Sequence, residues 1–396
     1  ETDIHYYKLA SGGLIDQAGD LSIPQTGERT GNINYTLSSE KIATLDNVLT
    51  EFYRITVADG PAVDGQRNTS DSKDFSVTVV PANADNVMNV ESDGISSYID
   101  NLLFSLPNVN LQKGNDIINL ESASFSNGHI NGGPDYDIIN LNPSKDYSSD
   151  ITLNDGYGGF IGSVNSSFSN IEEINTGIGY DKLTLNSDNN TVNIYGYNSG
   201  TAELLKFNGI DEIQAGGGYD VLNLNDDDNQ ILLSSYGQGY TDHIDKFAGF
   251  DQINGGGGYN TLTLNGGSNT INLTGLNQGS TDAIAKFSSI HQINASNGLD
   301  ILNLSSDNNT INITGIHQGS TDDIARFTGV DQVDAGAGYD AMNLNSSNNT
   351  INLDDDHSGT SDQLYSFLNV ELIDAKGGRD TFNANDNANS LQIDSG

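Results

Sequence analysis

Carboxylates and amides return along this chain at fixed intervals, and that regularity is its main chemical resource. Asp181, Asp220, Asp300, Asp340 and Asp380 hold one place in a period of about forty residues, with Asn260 in the same place of the remaining copy. Asp242, Asp282, Asp322 and Asp362 hold a second place, and Asp211, Asp251, Asp331 and His291 a third. Rows of hard oxygen ligands suit Ca²⁺, which accepts roughly 6–8 oxygens in flexible geometry. Catalytic constellations are not expected. The histidines (His5, His129, His243, His291, His317 and His357) read as scattered, with His243 and His357 as solvated substitutions near turns. No G-x-S-x-G, H-E-x-x-H or P-loop pattern occurs. Paired carboxylates for glycoside chemistry are unassignable, because almost every turn offers a pair.

The elements that must position these groups follow from the repeat. Phe168, Phe207, Phe247, Phe287, Phe327 and Phe367 are separated by 39, 40, 40, 40 and 40 residues, and the same phrase follows most of them, as in FNGIDEIQAGGGYDVLNLN from Phe207. Within one copy Ile253, Leu262 and Ile271 lie nine apart, Ile284 follows after thirteen, and Ile293 opens the next copy. Each copy therefore contains four strand-turn units. Alternating segments such as Leu262-Thr-Leu264 suit strands, while recurrent Gly and Asn suit turns and disfavour helix. The expected fold is all-β: a parallel β-roll, or β-solenoid, of 40-residue repeats. Two strands per coil give coils of 18 and 22 residues, stacked at ~4.8 Å.

In that winding, alternate units share an edge. One edge reads Asp181, Asp220, Asp242, Asn260, Asp282, Asp300, Asp322, Asp340, Asp362 and Asp380, a near-continuous carboxylate ladder. The other mixes acid with amide: Asp211, Asn229, Asp251, Asn269, His291, Asn309, Asp331 and Asn349. Carboxylates so closely stacked would repel strongly without cations, so the first edge is the expected calcium edge. Asp211, Asp251 and Asp331, with Asp137 of the first copy, form a secondary set. Inward positions are Leu262, Leu264, Ile271, Leu273, Ile284 and Ile293, with Phe287 filling the wider coil. Thr263, Asn272, Asn303, Asn312, Asn343 and Asn352 should face solvent in rows. Tyr219, Tyr259 and Tyr339, in register with Leu299 and Arg379, form a further row, able either to stack on carbohydrate or to cover a neighbouring turn.

The stretches Gly255-Gly-Gly-Gly-Tyr-Asn-Thr-Leu262, Ala215-Gly-Gly-Gly-Tyr-Asp-Val-Leu222 and Gly132-Gly-Pro-Asp-Tyr-Asp-Ile-Ile139 resemble the nonapeptide G-G-x-G-x-D-x-(apolar)-x of the RTX (repeats-in-toxin) family. The resemblance covers residues 104–396, with one unit in four close to consensus. It implies calcium held between stacked turns by the Asp carboxylates and by backbone carbonyls of the Gly-rich turn, here around Gly218, Gly258, Gly298 and Gly338. Ser280-Thr281-Asp282 departs from the family's glycines.

Charge supports a cation-rich setting. The 396 residues carry 15 Lys+Arg against 54 Asp+Glu, a formal net charge of −39, with no cysteine and 45 glycines. Such a chain is repelled by phosphate backbones and anionic lipid, which argues against nucleic-acid binding and membrane insertion. Lack of cysteine excludes disulfides, thiolate metal sites and Cys nucleophiles.

Three regions are expected. Residues 104–396 form the roll, irregular over 104–167 and regular over 168–396. Residues 86–103 read as a linker or cap with the only short helix. Residues 1–85 contain Phe52-Tyr-Arg-Ile-Thr-Val-Ala-Asp-Gly60 and Phe75-Ser-Val-Thr-Val-Val80, which are similar to the last strands of cadherin-like or Ig-like modules and imply an antiparallel β-sandwich. Together the resemblances imply a non-enzymatic, calcium-stabilised module of a large Gram-negative surface adhesin, exported by type I secretion and acting outside the cell in adhesion or biofilm attachment. Its partners would be a surface or matrix glycan or protein and the neighbouring modules of the same chain. Two alternatives stay open: a surface-layer lattice protein, and the accessory repeats of a secreted polysaccharide lyase or epimerase.

Overall fold

A computed structural model describes residues 111–385, except 112, 121–127, 142–147 and 163–165, together with 392–394; before residue 111 it describes strand backbones alone. Among the described residues every regular element is a strand. Near the N-terminus Thr2–Leu9, Leu49–Asp59 and Thr69–Val79 make an antiparallel sheet, and Gly19–Ser22 pairs with Asn34–Leu37. Of the two alternating segments read from the sequence, residues 52–59 and 75–79 fall in Leu49–Asp59 and Thr69–Val79. How these strands pack as a sandwich, and the helix expected near 90–104, lie outside the described residues.

The chain divides into two compact units, residues 1–186 with 199–212, and residues 187–198 with 213–396. Both carry the parallel β-solenoid. In the first, Ile118, Ile139, Ile174 and Phe207 are successive partners on parallel strands, and Val87–Val90 already pairs with Ile117–Leu120. In the second, the chain passes alternately between two sheets. Gln252–Asn254 lies in one, Thr261–Thr263 in the other, and Thr270–Gly275 returns to the first. Alternate side chains point inward, as period-two patterning requires. Leu262, Leu264, Ile271, Leu273, Ile284, Ile293 and Phe287 are all buried, as expected, each contributing about 1.5–3 kcal/mol by leaving water.

The winding differs from the expected one. Coils of 18 and 22 residues would pair Ile253 with Ile271. Instead Leu222 pairs with Ile253, and Ile253 with Phe287. Ile231 pairs with Leu262, Leu262 with Ile293, and Ile293 with Phe327. These parallel neighbours are 31 or 34 residues apart. The physical reason is in the thirteen-residue unit. It turns at Asn277, whose φ is +58°, and Gln278–Thr281 runs back antiparallel to Thr270–Gly275 and then to Ile284–Ser288. The stretched unit is thus an outgoing strand, a returning strand and a third strand in one sheet; the third pairs with Gln252–Asn254, and the outgoing strand pairs with Ile301–Asn303 of the next copy.

Outward-facing asparagines form the expected rows. The Asn303 amide donates to Asn272 Oδ1 (2.8 Å), Asn343 to Asn312 (2.9 Å) and Asn383 to Asn352 (2.8 Å).

Candidate functional site

The winding sets which acidic residues meet. Asp300 is fully buried. Its Oδ1 accepts the backbone N–H of Asn269 (2.8 Å) and the Asn269 side-chain amide (2.7 Å). Its own N–H donates to Asp331 Oδ2 (2.8 Å). The same three-rung column recurs as Asn190–Asp220–Asp251, Asn229–Asn260–His291 and Asn309–Asp340–Glu371. In the first unit its counterparts are Ser149–Asp181–Asp211 and Asp116–Asp137–Glu172. Asp380 accepts from Asn349 in the same way (2.8 Å).

The two expected edges are therefore not separate. Asp300 and Asp331, assigned to opposite edges, are hydrogen-bonded neighbours, and so are Asp181 with Asp211 and Asp220 with Asp251. Nor is the first edge one continuous ladder. Asp282 accepts from Thr270 N–H (2.8 Å), beside the Asn269 N–H that Asp300 takes. Asp322 and Asp340 likewise share Thr310 and Asn309, and Asp362 and Asp380 share Thr350 and Asn349. The carboxylates of that edge thus converge in pairs: exposed Asp282 and Asp322 with buried Asp300 and Asp340, and exposed Asp362 with half-buried Asp380. Asp242 is exposed and lies against His243, 3.0 Å from its Nδ1.

Glycine has a steric role in these columns. Gly298 and Gly338 have φ of +145° and +148°, and a β-carbon there would stand 2.5 and 2.6 Å from the carbonyl oxygens of Gly267 and Asp307. Gly218 and Gly258 lie equally close to the carbonyls of Asp188 and Asp227. A side chain would force the rungs apart.

Residues outside the expected site complete it. Glu172, Glu371, Asp116 and His291 stand in column positions. His317 and His357, forty residues apart and read as scattered, share one place: His317 Nδ1 is 3.0 Å from Asp331 Oδ1, and His357 Nδ1 is 3.3 Å from Glu371 Oε1. The forty-residue spacing was the available signal. The tyrosine row lies down on the sheet. Tyr219 OH donates to Gln252 (3.2 Å), Tyr339 OH to Gln392 (2.8 Å), and Tyr259 stacks on His291 (5.3 Å between centroids). The rings remain 41–50 % exposed.

In three columns one oxygen is left over. Oδ2 of Asp137, Asp300 and Asp340 is buried without a hydrogen-bond partner. Burial pushes all three carboxyls above their ordinary range, Asp137 to about 6, and neighbouring acids (Asp331 for Asp300, Glu371 for Asp340) add to the rise. The Asn260 copy shows what faces this atom. Asn260 Nδ2 occupies the corresponding side of the side chain and donates to the carbonyl oxygens of Gly257 (2.8 Å) and Ser289 (2.9 Å). Forty residues on, the equivalent carbonyls belong to Asn297 and Gly329. An oxygen in a carbonyl-lined place needs a proton or a cation.

Among the described residues no three His, Asp or Glu side chains gather as a metal site, so an ion here would need backbone carbonyls as well. The donor chemistry around the orphaned oxygen fits that requirement. No helix of the described residues is long and apolar enough to cross a membrane. The chain matches no known protein family and no curated protein.

Proposed function

We propose that this chain is a rigid structural and adhesive module of a secreted bacterial surface protein, stiffened by calcium drawn from the medium. The observation that carries the reading is the repeated, fully buried aspartate with one unpartnered oxygen. Asp137, Asp300 and Asp340 would each hold a cation through Oδ2, together with carbonyls equivalent to those of Gly257 and Ser289. Calcium supplies the positive charge that these oxygens lack, and it accepts the mixed carboxylate and carbonyl set they offer. Millimolar extracellular calcium would fill weak sites that low cytosolic levels leave empty. The role outside the cell also accords with the net charge of −39. Half-exposed, hydrogen-bonded tyrosine rings offer firm surfaces for a glycan partner.

The test is thermal melting of the full chain, followed by far-UV circular dichroism, with calcium and with excess chelator. Calcium should raise the melting temperature, and Asp300→Ala with Asp340→Ala should remove part of that rise. Identical melting curves in calcium and chelator would refute the calcium reading.

A further inference from the structure

The polar turn that ends in Asn229, Asn269, Asn309 or Asn349 contains a second group of oxygens, and in the second unit an amide fills it. Asn309 Nδ2 lies 3.1 Å from the carbonyl oxygen of Ser305, 2.6 Å from that of Asp307, 2.9 Å from that of Ala335 and 3.0 Å from Asp340 Oδ1. Asn269 repeats the arrangement with Asn265, Gly267, Ala295 and Asp300. Asn229 repeats it with Asn225, Asp227, Gly255 and Asn260, and Asn349 with Asn345, Ser347, Ala375 and Asp380. An amide has two protons to donate, yet four oxygens converge on this nitrogen. Over-supply of acceptors around one point is the coordination pattern of a cation rather than of an amide. The distances, 2.6–3.3 Å, exceed the roughly 2.3–2.6 Å of Ca²⁺–O contacts by a few tenths of an ångström.

We propose that Asn229, Asn269, Asn309 and Asn349 are built-in substitutes for a metal ion: each amide occupies a cation cradle made of turn carbonyls and the Asp or Asn side chain on the next rung of its own column. At this cradle the residues present do not fit calcium, because the Asn amide holds the place an ion would take. Two consequences follow. The solenoid stays wound when divalent cations are removed, whatever calcium adds at the orphaned Oδ2 atoms. Replacing the amide by a carboxylate opens a calcium site, because Asn309→Asp removes the donor and leaves carbonyl and carboxylate oxygens facing one another.

The experiment uses the full chain with calcium chloride or chelator, reading far-UV circular dichroism, thermal melting and calorimetric calcium stoichiometry. Wild type should keep its β signal in chelator at room temperature. N309D and N309A should both melt lower in chelator, by about 3–6 °C for the loss of a buried hydrogen-bonded group. Calcium should restore N309D beyond its effect on wild type, with one additional ion bound, and should give N309A no such rescue. Loss of the wild-type β signal in chelator would overturn the inference. So would an N309D chain that binds no extra calcium, or that stays unfolded with calcium present. Failure of calcium to stabilise wild type would strike the proposed function alone.

Discussion

Gly279 lies directly against the ring of Phe287: a β-carbon on Gly279 would stand 2.8 Å from Phe287 Cζ and 2.2 Å from the carbonyl oxygen of Asn272. Gly319 with Phe327 and Gly359 with Phe367 repeat the contact. The returning strand can sit beside the phenylalanine strand only because this position has no side chain. Gly279→Ala should therefore cost about 1–3 kcal/mol by overpacking, measured by urea denaturation. Gly266→Ala, where an added methyl meets nothing within 4 Å, is the control. Equal behaviour of the two variants would contradict the antiparallel placement of Gln278–Thr281.

The phenylalanine itself anchors the same three strands. Phe327 is fully buried and pairs with Ile293 on one side and Gly319 on the other. Phe327→Ala should cost about 3–5 kcal/mol, and Phe327→Leu clearly less. Because neighbouring copies share the affected rungs, the loss should broaden the unfolding transition as well as lower it.

Asn260 marks the one copy that is neutral at the buried place. Asn260→Asp would set a carboxylate oxygen against the carbonyls of Gly257 and Ser289 in place of the amide donor. In chelator the variant should lose about 2–4 kcal/mol, and calcium should return much of it. A variant that is indifferent to calcium would mean that the orphaned oxygens of the other copies are not cation ligands.

Stability should also depend on pH when cations are absent. Folded Asp137 titrates near 6, above the ordinary carboxyl range, chiefly through burial. A raised folded pKa favours the fold while the group is protonated. That contribution is complete below about 4, the ordinary carboxyl value, and is lost as pH rises through about 6. Asp300 and Asp340 shift in the same direction. The chelated protein should therefore melt higher at pH 5 than at pH 7.5, and saturating calcium should flatten the difference. A chelated protein that is more stable at the higher pH would reverse this assignment.

Much of the architecture was legible in the sequence, and particular residues show where legibility ended. Ile253, Leu262 and Ile271 announced inward strand positions because period-two burial depends only on local pattern. Asn303 and Asn272 could be placed on an outer face for the same reason. The partner of Asp300 could not be read. Register between rungs depends on how the thirteen-residue unit closes, and Gln278-Gly-Ser-Thr281 has no strong strand propensity to betray a third strand. Its clue was the Gly recurring eight residues before Phe247, Phe287, Phe327 and Phe367. Once that strand is inserted, Asp331 moves beside Asp300, and Asn269 turns from a member of the opposite edge into the occupant of a turn.

The backward-running strand has a mechanical consequence. Since Phe287 is bonded sideways to Ile253, a segment thirty-four residues earlier, and Gly279 is clasped between Phe287 and Leu273, no single loop can be peeled away without tearing open its predecessor. Strands plied in this manner resist unravelling one at a time, because a pull on any of them loads several rungs at once.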